Sequence, residues 1–227
     1  MVIKKIILFI FISNILNAQN VTKLFSTDSI NIYKYSDTTF INKTIPLEFK
    51  DAIQIALQNY PELKQINIRF KIKKTKSPLS ARPTILSVFR KPNKRKYLVT
   101  ISNLSKKEFN SILLKNLNFN SQIGVLGHEL AHIQHYNSKR RIYFIGLALK
   151  HLNKKAIDSF EFNTDKICIE HGLGYQLLSW SKEVRQKLDL KQWGGSNKPN
   201  GKRERYMNPE TIINSMRWLS IYNSFAG

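Results

Sequence analysis

Apolar and polar residues alternate strictly in "QINIRFKIK", where Ile66, Ile68, Phe70 and Ile72 are separated by Asn67, Arg69 and Lys71. A period of two puts the apolar set on one face of a strand and the charged set on the other. Upstream, "IPLEFKDAIQIALQNYP" spaces Leu47, Ile53, Ile55, Ala56 and Leu57 mostly at helical intervals, and Pro61 stops the predicted helix. "TILSVFR" and "KYLVTIS" flank the turn-like "KPNKRK" and predict a hairpin. Ser105 with Glu108 forms a capping-box pattern that predicts a helix over "FNSILLKNL". Further helices are expected after Asn120 and Ser121, near residues 156–171 with Gly172 as the stop, and in "NPETIINSMRWLSIY". The apolar segment "RIYFIGLALKHL" lies beside Lys139, Arg140 and Arg141 and is too short to span a bilayer untilted. It reads as a buried helix, with a helix on a membrane surface as the alternative.

The chain divides into three parts. Residues 1–18 carry Lys4 and Lys5, an apolar run from Ile6 to Ile12 and a small residue at Ala18, the pattern of a signal peptide, with an uncleaved anchor as the alternative. Either form implies export to the periplasm, the envelope or the medium. A polar lead follows over 19–44, and 45–227 reads as one α+β domain without repeats or low-complexity tracts. Apolar residues make up 42% of the sequence, enough for a packed core. Cys168 is the sole cysteine, so no intrachain disulfide can form. The net charge of +22 is scattered from Lys23 to Arg217 and accompanies no nucleic-acid-binding motif. No nucleic-acid partner is expected, whereas attraction to anionic envelope surfaces is.

The chemistry gathers in "VLGHELAHIQHY". His128 and His132 stand one helical turn apart on one face, so both imidazoles can reach one ion. Glu129 projects beside them, where it can take a proton from a water that the ion polarises and pass it to a leaving amine. A catalytic zinc usually has three protein ligands and an open position. For the third, His135 shares the stripe but lies about 7.5 Å along the axis from the level of residue 130. His151 stands alone in "ALKHLNKK". Glu161 is better placed, because Asp165 follows one turn later and could hold the free ring nitrogen of a metal-bound histidine.

With "HELAH" followed by "FEFNTD", the sequence resembles the gluzincin metallopeptidases, most of all minimal zincin domains of the bacterial envelope. The resemblance covers residues 125–174. It implies that His128, His132 and Glu161 bind zinc, that Glu129 is the catalytic base and that Asp165 supports a motif histidine. It also implies a small mixed sheet whose hairpin edge strand packs on the active-site helix, with a second helix bearing the glutamate ligand. "HIQHYNSKRR" lacks the Gly and third His of the metzincin pattern. Tyr206, in "RERYMNPE", is the candidate for stabilising an oxyanion, ahead of Arg203, Arg205 and His171. The expected activity is zinc-dependent hydrolysis of a peptide or protein substrate. The alternatives are a non-catalytic, zinc-stabilised envelope protein and a hydrolase of a non-protein amide.

Overall fold

The computed structural model describes residues 21–26, 40–140, 143–144, 154–190 and 204–223. The expected signal peptide, His151, Arg203 and nearly all of "RIYFIGLALKHL" lie outside the described residues. Among the described residues the protein is a mixed α+β structure with one four-stranded sheet. Its strands are β1 (Lys43–Thr44), β2 (Asn67–Lys73), β3 (Leu79–Pro83) and β4 (Lys96–Ser102), in the order β1-β2-β4-β3. The helices are α1 (Lys50–Gln58), α2 (Phe119–Ser138), α3 (Lys154–Cys168), α4 (Gly174–Lys187), α5 (Pro209–Arg217) and the short α6 (Ser220–Asn223). Among the described residues no helix is long and apolar enough to cross a membrane.

The period-two pattern of β2 holds: Ile68 and Phe70 are buried while Asn67, Arg69 and Lys71 face water. β2 runs parallel to β1 and β4, and β3 pairs antiparallel with β4 at the sheet's edge. Part of the expected polar lead belongs to the fold, since β1 joins β2 and Phe25 exchanges backbone hydrogen bonds with the Asn120 side chain.

Two expectations fail. The first strand of the hairpin is not "TILSVFR" but Leu79–Pro83, and Ile85–Ser87 forms a single tight turn. Only Leu79 and the small Ala81 are buried in this edge strand, which gave it a weak apolar signal, whereas the conspicuous Ile85, Leu86 and Phe89 are exposed. "FNSILLKNL" is not an α-helix but two short turns, Lys107–Ile112 and Leu114–Asn116, separated by an extended Leu113. Asn110 explains the break: its side chain accepts from the Ser105 amide and its carbonyl accepts from the Asn116 side chain, so local bonds compete with the helical ladder.

α2 is the central helix. Asn118 caps it by accepting from the Ser121 amide, and Ile123, Leu126, Leu130 and Ile133 are wholly buried. Each such side chain contributes roughly 1.5–3 kcal/mol by leaving water. Its neighbours come close enough to demand glycine. A Cβ at Gly124 would enter the backbone of Gln176 in α4, and one at Gly127 would strike Leu173 and crowd the Cys168 sulfur. The turn that joins α3 to α4 carries Gly172 at φ +83°, a conformation that favours glycine. Gly172 thus ends α3 as expected, but the chain re-enters a helix at once.

Near that turn the His171 Nδ1–H donates to the Ile167 carbonyl, and His171 Nε2 lies 2.8 Å from Glu62 Oε1. Burial opposes both charges, but their mutual hydrogen bond and attraction outweigh it, raising the His171 pKa and lowering that of Glu62. The His171 contribution is complete below its ordinary value of 6.5 and is lost as pH rises through the raised folded value. The Glu62 contribution is complete above 4.5 and is lost as pH falls through the lowered folded value. The pair therefore stabilises most between pH 4.5 and 6.5. Glu62→Gln should flatten the loss of stability above pH 6.5 in urea titrations, and an unchanged slope would refute the pairing. Gly124→Ala should cost about 1–3 kcal/mol in the same assay, since backbone must move to admit the methyl.

Candidate metal centre

Helical periodicity brings the site together. His128, Glu129 and His132 share one side of α2, and Glu161, Thr164 and Asp165 share the facing side of α3. His128 Nε2 and His132 Nε2 lie 3.1 and 3.2 Å from the same atom, Glu161 Oε2. The ring nitrogens on the other side are also engaged. The His128 Nδ1–H donates to Asp165 Oδ1 at 2.8 Å, and the His132 Nδ1–H donates to Thr164 Oγ1 at 3.2 Å, while the Thr164 hydroxyl donates to the Phe160 carbonyl. Both imidazoles are thereby fixed with their Nε2 atoms aimed at one spot.

Three donor atoms within 4.8 Å of one another form a group that could hold a metal ion. Ligands about 2.0–2.1 Å from a tetrahedral ion stand about 3.3 Å apart, close to the two separations that Glu161 makes. The donor set and its spacing fit such an ion. Charge balance points the same way. Burial works against a proton on His128, but Asp165 and Glu161 outweigh it and lift its pKa to about 10. Burial likewise works against the Glu161 carboxylate, and the two histidines overcome it, holding its pKa well below the usual range. The site stabilises positive charge at its centre.

Glu129 is not a member of this donor group. It is buried, the Ala81 amide on β3 donates to its carboxylate, and its Oε2 has no hydrogen-bond partner. Burial raises its pKa, against the partly compensating His132 and His128. The register of β3 explains the contact. Ser102 donates to the Pro78 carbonyl and Thr84 to the Lys96 carbonyl, so even-numbered residues face β4 and the Ala81 amide points off the open edge.

A cavity of about 370 Å³ opens beside these groups, with Ile112, Leu117 and Trp180 as an apolar wall and His128, Glu129 and Tyr206 on its lining. The Tyr206 ring stands 5.6 Å from the His128 ring and perpendicular to Trp180 at 5.7 Å. Its placement depends on two buried groups that sequence reasoning missed in this role. Asp165 Oδ2 accepts from the Met207 amide at 2.7 Å, and Arg185 donates to the Met207 carbonyl and to Asn208 Oδ1. Asp165 thus holds a histidine with one oxygen and the Tyr206 segment with the other.

Other candidates are engaged elsewhere. His135 contacts the Tyr143 hydroxyl at 2.9 Å, His171 pairs with Glu62, and Arg205 donates to Asp158 at 2.7 Å. Thr164 had a detectable signal, a hydroxyl three residues past Glu161 on the same face. Ala81 and Arg185 had none, because their roles depend on strand register and tertiary packing.

Comparison with protein-family models, curated proteins and solved structures finds no match. The geometry therefore stands alone. Asp165→Asn should weaken metal affinity about 10–100-fold by releasing His128. Arg185→Met should leave that affinity near the parent's, because Arg185 donates to the Tyr206 segment and to Ser181 but to none of the donor residues. Calorimetric titration with zinc separates the two, and equal losses would contradict the division of roles.

Proposed function

We propose that the protein is a zinc-dependent hydrolase, most directly a peptidase of the gluzincin type in a minimal zincin-like domain, exported by the segment 1–18. The observation that carries this reading is the pairing of a convergent His128–His132–Glu161 donor group with an adjacent buried carboxylate, Glu129, whose Oε2 is unpartnered. Three donors leave a coordination position for substrate or water, as a catalytic zinc requires and a closed structural zinc does not. The cavity beside them gives a substrate access.

When bound, zinc would supply Lewis acidity, polarising a carbonyl and making water a better nucleophile near neutral pH. The chain's own groups do the rest. Glu129 takes the proton from the attacking water and returns it to the leaving amine, a role suited to a carboxylate whose proton affinity burial has raised. Asp165 and Thr164 hold the two imidazoles in one tautomer and orientation. Tyr206 lines the same cavity and donates its hydroxyl to the oxygen that becomes negative as the carbonyl is attacked. The open edge of β3 binds an extended peptide as an added strand, with backbone groups next to Glu129.

Metal content and hydrolysis of a mixed peptide library, with and without chelator, test this reading. Glu129→Gln should retain the metal and lose activity by about 10²–10⁴-fold, the usual worth of a positioned acid–base group. His132→Ala should lose both. Full metal content in His132→Ala, or chelator-resistant hydrolysis, would overturn it.

A further inference from the structure

The connection between β3 and β4 inverts the usual burial rule. Its large apolar side chains point outward, with Ile85 79%, Leu86 82% and Phe89 65% exposed, while the small polar Ser87 between them is buried. Isolated exposed apolar residues are ordinary, but three within five residues mark an interaction surface. The inversion is built into the loop. The Ser87 hydroxyl lies 2.9 Å from both the Thr84 and Lys96 carbonyls, and the Arg90 amide donates to the Ser87 carbonyl. Behind them, buried Arg95 donates to the Arg90 carbonyl and, through Nη1, to the Tyr136 and Lys139 carbonyls at the end of α2. Inward polar anchors hold the apolar tips out.

Charge identifies what the tips meet. Arg82, Arg90, Lys91, Lys94 and Lys96 are all exposed around them, and residues 82–96 contain no Asp or Glu. A second copy carries the same net charge of +22 and is repelled. A surface that is anionic outside and apolar just beneath suits both features at once. We infer that Ile85, Leu86 and Phe89 insert into the headgroup region of an anionic lipid bilayer, with the surrounding Arg and Lys side chains on the lipid phosphates. The tips lie a few residues beyond Ala81, so docking brings the open edge of β3 near the bilayer surface. The inference is independent of hydrolysis.

The test uses the full chain with Phe89→Trp, read as a difference against the parent chain, which has three tryptophans of its own. Vesicles of phosphatidylglycerol and phosphatidylcholine should shift the introduced indole emission to shorter wavelength, and brominated lipids should quench it. Pure phosphatidylcholine should do neither. Adding Arg90→Gln, Lys91→Gln and Lys94→Gln should weaken the response about a hundredfold at low salt, since each removed charge is worth about fivefold at an anionic surface. All four positions are exposed, so the fold should survive, as circular dichroism would verify. Cosedimentation with vesicles without shift or quenching would overturn the inference by placing adhesion elsewhere on the chain. So would a shift that grows with protein concentration in the absence of lipid, because a second copy would then cover the loop.

Discussion

Two imidazoles and a carboxylate oxygen occupy one small, largely buried volume between α2 and α3, and much of the surrounding structure follows from keeping them there. Converging lone pairs are costly to bury unless a cation joins them. The protein accepts that cost by packing α2 against backbone at Gly124 and by engaging the far nitrogen of each ring. Asp165 extends the constraint outward, because its second oxygen carries the Met207 amide and so sets where Tyr206 stands. Arg185 fixes the same segment from α4. The donor group, the cavity and the Tyr206 segment are thus one connected arrangement rather than separate features.

Much of the site was legible because helical spacing is local. His128 and His132 at four residues, and Glu161 and Asp165 at four residues, define faces whatever the tertiary fold, and the structure brings those faces together. Features that depend on register were not legible. The Ala81 contact with Glu129 requires knowing which residues of β3 face β4, and β3 itself was misplaced because apolar content drew attention to Ile85, Leu86 and Phe89. The glycines at 124 and 127 signalled a close neighbour, but only the structure names Gln176, Leu173 and Cys168. α4 escaped notice although Leu177, Trp180 and Val184 are buried at helical spacing, because polar Gln176, Ser181 and Arg185 share that buried face and dilute its apolar signal.

The misplaced strand and the outward apolar loop are two aspects of one sequence feature. In "ARPTILSVF", the less apolar "ARP" enters the sheet and the more apolar "ILSVF" leaves it. Burial alone would arrange them the other way. The sheet edge beside Glu129 and the exposed tips that follow it are thus neighbours in one short stretch of chain.

The proposed chemistry rests on His128, His132 and Glu161 holding one ion, for which their three donor atoms are suitably grouped. X-ray absorption at the zinc edge of the zinc-loaded protein tests that claim most directly. The account predicts two imidazole nitrogens at about 2.0–2.1 Å, the remaining ligands oxygen and no sulfur, with one imidazole lost in His132→Ala if zinc is retained at all. A sulfur ligand from Cys168, three or more imidazoles, or an unaltered spectrum in His132→Ala would contradict it.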